Sequence, residues 1–333
     1  MKLSELVFSD LFVTSTNETC WYKATSDSLD VVSFPAEYNS DLNILRLRLT
    51  QKGGGSDFRI DYPEKNGLRL RVKRIVVSDG SHVFVCRRFR LLPGPMSKLG
   101  VPASVIGNLL DENLTEGLVI IMGKSGSGKS TTAGSYISEL LNKRGGVCFT
   151  VENPIELQLE GKHGKGCCYQ TEVSCDSEIG ASVLGLMRAT PNIIFIGELR
   201  DTESVREAVT AALSGHLVIG TFHAADLLSG IERLVRMAND DTAASAIAEA
   251  LRVAIHQTLK NTSSRLEIGD AIFVPDSKGT GTPARILSVS PIWFGGKASD
   301  GLKSMIRDGE INQLKSEVER QRRALMNNKP LFE

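Results

Sequence analysis

At 333 residues the chain is long for one ordinary domain and comfortable for two. Apolar residues make up 41% and charged residues 23%, close to globular averages, which excludes a disordered chain, a collagen or a coiled-coil rod. Lys plus Arg is 39 and Asp plus Glu is 39, so the basic excess of a protein that lives on nucleic-acid phosphates is missing.

The opening stretch, MKLSELVFSD, carries acids and lacks a secretory apolar core. No apolar run approaches the ~20 residues that cross a bilayer. Both features point to a soluble, cytoplasmic protein. The first ninety or so residues read as strands. Leu45, Leu47 and Leu49 alternate with Arg46 and Arg48, the period of a half-buried strand. Residues 67–77 and 81–90 are two further strands, joined by Ser78-Asp79-Gly80, which suits a tight hairpin. Together they predict a small α+β domain over residues 1–94. Pro93-Gly94-Pro95 then breaks any regular element and opens a linker over 95–104.

From Val105 the rhythm changes. Four short apolar runs, 118–122, 147–151, 193–196 and 217–219, alternate with longer helical stretches. Strands without polar alternation are buried on both faces, as in a parallel sheet covered by helices. This predicts an α/β domain over 105–300. Ser304 to Met326 is polar and helix-forming, an appended helical segment within 301–333.

The first of those strands leads into Gly123-Lys124-Ser125-Gly126-Ser127-Gly128-Lys129-Ser130, a full G-x-x-x-x-G-K-[ST] match followed by a helix-compatible stretch from Thr131. Gly123, Gly126 and Gly128 let the backbone curl until its N–H groups, together with those of Ser125, Ser127 and Thr131, converge on phosphate oxygens. They do so at a helix N-terminus, where the macrodipole favours an anion. Lys129 would reach the β- and γ-phosphates and the Ser130 hydroxyl would ligate Mg²⁺, so the expected ligands are ATP and Mg²⁺. Hydrolysis also needs a carboxylate that orients water and one on the metal side. Glu152 ends the second strand and Glu198 follows the third, at equivalent topological positions. The fourth strand runs from His216 to His223, which puts His223 on the same sheet edge as the loop. His216 reads as a structural histidine. Cys167, Cys168 and Cys175 lie near His163 but lack the C-x₂-C pairing of a tetrahedral site, so they read as loop or half-buried thiols.

These residues resemble a known family. The glycine-rich loop, TVENPIE, LRATPNIIFIGELRD and SGHLVIGTFHAAD are similar to the Walker A, acidic box, Walker B and histidine box of the secretion and pilus traffic ATPases, in the family's order. Residues 248–259 resemble the helix after the histidine box, and SMIRDG a C-terminal segment of the pilus-retraction and Dot/Icm branch. The resemblance implies a PAS-like N-terminal domain, a RecA-like P-loop ATPase domain and a homohexamer. That ring would work on inner-membrane platform proteins of a type IV secretion, conjugation or pilus machine, peripherally on the cytoplasmic face. It also implies Glu152 as the acidic-box glutamate, Glu198 as the Walker B glutamate, and His216 and His223 as the histidine box; the zero net charge, separately, argues against direct nucleic-acid binding. Asn153 and Asn192 stand where acids are usual, and the tetracysteine zinc insertion is missing.

Arginines complete the expectation. The loop supplies one lysine and no arginine near the γ-phosphate, where charge builds during transfer. Arg200 follows Glu198 and is expected to pair with a neighbouring acid. Family members use arginines on N-terminal strands to reach nucleotide, and Arg71 and Arg87 are the pair so implied here, against a plain reading as solvated strand residues. Two other functions fit the local motifs: a RecA-like nucleic-acid motor, and a nucleotide-gated assembly factor without turnover.

Overall fold

The computed structural model describes residues 2–16, 20–24, 30–52, 55–63, 68–91, 94–238, 242–262, 284–295, 299–327 and 329–331. The chain divides into two units, Met1–Leu91 and Leu92–Glu333.

Among the described residues of the first unit six strands form an antiparallel sheet in the order Val32–Ser33, Trp21–Lys23, Asp10–Thr14, His82–Arg88, Leu68–Val76, Asp57–Tyr62. The expected hairpin is present. Its turn is closed by Gly80 N–H on the Val77 carbonyl (2.9 Å) and Val77 N–H on the Ser81 carbonyl (3.0 Å), with Gly80 at φ +82°. The expected strand at Leu45–Leu49 is not. Asn39–Gln51 is an α-helix.

Alternating Leu and Arg satisfies a strand on paper, but both are strong helix formers and no β-branched residue interrupts them until Thr50. Burial follows the helical spacing instead. Leu42, Leu45 and Leu49 sink into a core with Leu11, Val13, Leu70, Val72 and Phe84, while Leu47 stays 60% exposed. The two registers make opposite predictions for neighbouring leucines. Leu45→Ala should lower stability by about 3 kcal/mol and Leu47→Ala by less than about 0.5 kcal/mol, read from urea unfolding of the full chain. Equal losses would favour the strand register.

Among the described residues the second unit is built on an eight-stranded sheet. Its order is Gly161–His163, Gly166–Glu172, Val147–Glu152, Ile193–Ile196, Leu217–His223, Gly117–Gly123, Leu251–Thr262, Ala284–Trp293. The six inner strands are parallel and both edge strands antiparallel. All four apolar runs lie in this sheet. Their side chains alternate between two cores: Leu118, Ile120 and Met122 enter one, Val119 and Ile121 the other. Cover on both faces is why the runs show no polar alternation.

Three expectations change here. Residues 251–259 are strand rather than helix, since the helix Ala243–Ala250 ends where β-branched Val253 and Ile255 begin to alternate across the sheet. The stretch after Pro95 forms a short 3₁₀ helix, Met96–Leu99, and buries Met96 and Val101 in the second unit's core. The C-terminal helices, Ser299–Arg307 and Leu314–Met326, are integral to that unit. Leu302, Ile306 and Leu314 enter one core and Leu325 the other. The buried Gln321 amide brackets Trp293, accepting from its N–H at 2.8 Å and donating to its carbonyl at 2.9 Å.

Candidate functional site

Parallel strands deliver their C-terminal ends to one edge, and the register shows which residues arrive together. His223 lies opposite Gly123, Ile196 lies beside both Val151 and Gly220, and Glu152 pairs with Glu172. The glycine-rich loop leaves from Gly123 and feeds the helix Lys129–Arg144. Gly123 (φ +156°), Gly126 (+75°) and Gly128 (+84°) all use backbone conformations that L side chains avoid. A Cβ at Gly123 would strike the Gln257 carbonyl and the Ser127 hydroxyl at 2.5 Å, whereas nothing stands within 4 Å of one at Gly126. The loop is thus held tightly from behind and open in front, with Ser125 and Gly126 exposed and Ser130 and Thr131 half-buried in the first helical turn. The Lys129 amine bonds the Gly123 and Lys124 carbonyls at 3.1 Å each. Burial lowers its pKa, and the carboxylate of Glu198 opposes that shift.

Glu152 and Glu198 meet at this edge in contrasting surroundings. Glu152 is 3% exposed, packed against Gly197, where a side chain would come within 3.1 Å of it. Its Oε1 accepts from Thr150 Oγ1 (2.6 Å) and Gln170 Nε2 (2.9 Å). Burial outweighs these bonds and pushes its pKa up to about 7. Glu198 is more open. Its Oε2 accepts from Arg200 Nη2 at 2.6 Å and Nε at 2.8 Å. Arg200 also reaches Asp176 Oδ2 (3.0 Å), and Asn153 donates to the other oxygen of Asp176 (2.8 Å). The expected pairing of Arg200 with an acid is present, and Asp176, which sequence reasoning passed over, is its second partner. Asn153 explains itself in this network, because a carboxylate there would face Asp176 rather than donate to it.

His223 is exposed at the strand end beside the loop. His216 is not brought to the site. It precedes the same strand at its opposite end, hydrogen-bonded through Nδ1 to the Pro191 carbonyl at 2.9 Å, a strand length of roughly 20 Å away. Cys167 and Cys168 lie on a strand rather than in a loop, with Cys168 fully buried in register with Cys148; Cys175 alone of the three is exposed. His163 bonds Ser138 Oγ and the Leu159 carbonyl. Among the described residues no three His, Cys, Asp or Glu side chains could hold a metal ion together, and no helix is long and apolar enough to cross a membrane.

Sequence reasoning also missed residues on the strand Leu251–Thr262, which it took for helix. Gln257 is fully buried and donates through Nε2 to the Ser127 carbonyl at 2.5 Å. Next to it, His256 is buried, with its pKa lowered by burial. The alternating apolar positions Val253 and Ile255 were the strand signal that would have placed both beside the loop.

In the N-terminal unit, Arg71 faces Arg87 across one strand pair and Arg59 across the other, and Arg87 faces Asp10. Asp10 Oδ1 accepts from Arg87 Nε at 2.8 Å, and the Arg87 side chain remains 67% exposed. Arg71 and Arg87 are therefore together on one sheet face.

Comparison with known proteins bears on this geometry. The family description "Type II/IV secretion system protein" matches residues 40–271, more than half of the chain. The chain belongs to this family. It is 32% identical over 238 residues to the type IV pilus retraction ATPase PilT of Pseudomonas aeruginosa, covering 69% of this chain and 61% of PilT. It is 28% identical over 282 residues to a twitching motility protein of Neisseria gonorrhoeae, covering 83% and 67%. The secretion-family chain thus spans less than two thirds of the Pseudomonas relative. Among solved structures it resembles the pilus retraction motor PilT with bound ADP, at 25% identity and TM-score 0.70, covering 99% of this chain and 91% of that one. The Legionella pneumophila ATPase DotB shares the fold at 22% identity and TM-score 0.68, covering 92% and 83%. The expected fold, a RecA-like α/β domain preceded by a smaller α+β domain, is borne out.

Proposed function

We propose that this member of the secretion family binds ATP with Mg²⁺, hydrolyses it, and works as a homohexamer that drives a type IV secretion, conjugation or pilus machine. Its place would be the cytoplasmic face of the inner membrane, against platform proteins of that machine. The observation that carries the proposal is the meeting of the glycine-rich loop, Glu152, Glu198 and His223 at one sheet edge. Kinship with PilT, an ATPase by name, supports it.

In this reading the backbone N–H groups of residues 123–131 and the Lys129 ammonium hold the phosphates. The loop fits that role, since its front is open at Gly126 and its N–H groups start a sixteen-residue helix. Ser130 would hold Mg²⁺ with the substrate, and the ion would supply charge neutralisation at the transferring phosphoryl group. Glu152 orients the attacking water and accepts its proton. Its raised pKa suits a base that works near neutrality. Glu198, braced by Arg200, would serve as the metal-side carboxylate, and His223 would sense the γ-phosphate. Arg71 and Arg87 supply positive charge as the phosphoryl group departs.

Phosphate release from ATP by the purified full chain tests the reading, with Arg71→Ala, Arg87→Ala and the double variant measured alongside. Steady turnover by the wild type and a drop of at least about ten-fold in the double variant are expected, with nucleotide binding kept. No turnover by the wild type would sink the enzyme reading. Full turnover in the double variant would remove only the arginines.

A further inference from the structure

The glycine-rich loop is held from behind by a strand that the proposed chemistry does not use. Gln257 lies on Leu251–Thr262, the parallel neighbour of the strand that ends in the loop. Its side chain is fully buried. Nε2 donates to the carbonyl of Ser127 at 2.5 Å, and a Cβ at Gly128 would touch the same nitrogen at 3.4 Å. The backbone carbonyl of Gln257 stands where a Cβ of Gly123 would be, 2.5 Å from that position. Gln257 therefore touches the loop at its first glycine and at its last. The other amide atom, Oε1, is buried without a hydrogen-bond partner among the described residues, as is the Ser127 hydroxyl. Stability weighs both ways on this choice of side chain. A buried amide with half its capacity unused is costly, while an apolar side chain of similar shape would spare that cost but take this donor from the Ser127 carbonyl.

Peptide geometry supplies a reason. The Ser127–Gly128 peptide is planar and trans, so its C=O and N–H point in opposite directions. An amide donor that holds the Ser127 oxygen against the sheet necessarily turns the Gly128 N–H away from it, toward the open front of the loop. Gly128, at φ +84°, has no Cβ to resist rotation of that plane. A free peptide there could flip and present its carbonyl to the ligand, replacing a donor by an acceptor.

We infer that Gln257 is a positioning residue for phosphate recognition: by donating to the Ser127 carbonyl it locks the Ser127–Gly128 peptide with its N–H aimed at the bound phosphate. The inference rests on the reading of the loop as a phosphate site. It also assigns the amide orientation, because reversing the amide would set Oε1 against the Ser127 oxygen.

The test titrates ADP into the full chain by calorimetry, with Gln257→Leu, Gln257→Glu and Lys129→Ala compared to wild type and melting temperatures recorded. Loss of one neutral hydrogen bond that orients a phosphate donor should weaken ADP by about ten-fold in Gln257→Leu. Gln257→Glu carries its own control. A protonated carboxyl can donate to the Ser127 oxygen, and an ionised one repels it. The affinity of Gln257→Glu relative to wild type should therefore be near one at pH 5 and fall about ten-fold or more by pH 8.5. A residue that merely fills space predicts a flat ratio. ADP affinity within two-fold of wild type in Gln257→Leu, while Lys129→Ala loses it, overturns the inference and leaves the loop reading standing. Unchanged affinity in Lys129→Ala overturns both. If Gln257→Leu does not fold, the Gln257→Glu profile decides, and a flat ratio counts against the inference.

Discussion

Glu152→Gln is expected to leave ATP binding intact while phosphate release falls by roughly 10²–10⁴-fold, the range a positioned general base supplies. A carboxylate that orients water matters in the transition state more than in the ground state, so affinity should survive its loss. The wild type carries a companion signature. Only the ionised carboxylate accepts a proton, and the pKa of Glu152 is pushed up to about 7 by burial. kcat/KM should therefore decline as pH falls through about 7 in the wild type.

Stability should move the other way. An acid whose folded pKa lies above its unfolded value keeps its proton longer in the native state, so stability falls as pH rises from about 4.5 to about 7 and stays lowered above that. The cost at pH 8 is on the order of 3 kcal/mol for a group so fully buried. Glu152→Gln, unable to ionise, should melt higher than wild type at pH 8 and close to it near pH 4.5. If Glu152→Gln still turns over and Glu198→Gln is the dead variant, the two carboxylates exchange roles.

The second large effect is at Lys129. Its ammonium is half-buried between the Gly123 and Lys124 carbonyls, next to the field of Glu198. A charge-assisted bond to phosphate is worth about twice a neutral one, and a lysine that spans β- and γ-oxygens makes more than one. Lys129→Ala should weaken ATP by about a hundred-fold and abolish turnover at ordinary substrate concentrations. Unchanged ATP affinity in calorimetry would contradict the assignment of the loop.

Most of the second unit was legible in the linear chain. Its four apolar runs are strands because each is covered on both faces, and burial on both faces leaves no polar alternation to confuse the reading. The glycine-rich loop was legible for a related reason: phosphate recognition by backbone N–H groups demands glycine at set places, so the chemistry is written in local residue order. Arg200 was readable as an ion-pairing residue because its acid lies two positions away.

What escaped was decided at a distance. The Leu-Arg alternation at 45–49 fits either period, and only the core offered by Leu11, Leu70 and Phe84 selects the face that carries Leu42, Leu45 and Leu49. Asp176 reaches Arg200 from 24 residues away and Gln257 reaches Ser127 from 130 residues away. His216 and His223 bracket one strand, yet a parallel sheet sends only the second to the edge that carries the glycine-rich loop. Residue order by itself determined which chemistry is proposed for this chain, since a glycine-rich loop and strand-end acids are local patterns. The tertiary structure decided the state of each group. Burial of Glu152 beside Gly197, the bracing of Glu198 through Arg200 and the anchoring of Ser127 by Gln257 depend on which strands are neighbours, and strand neighbours are fixed by long-range packing rather than by proximity along the chain.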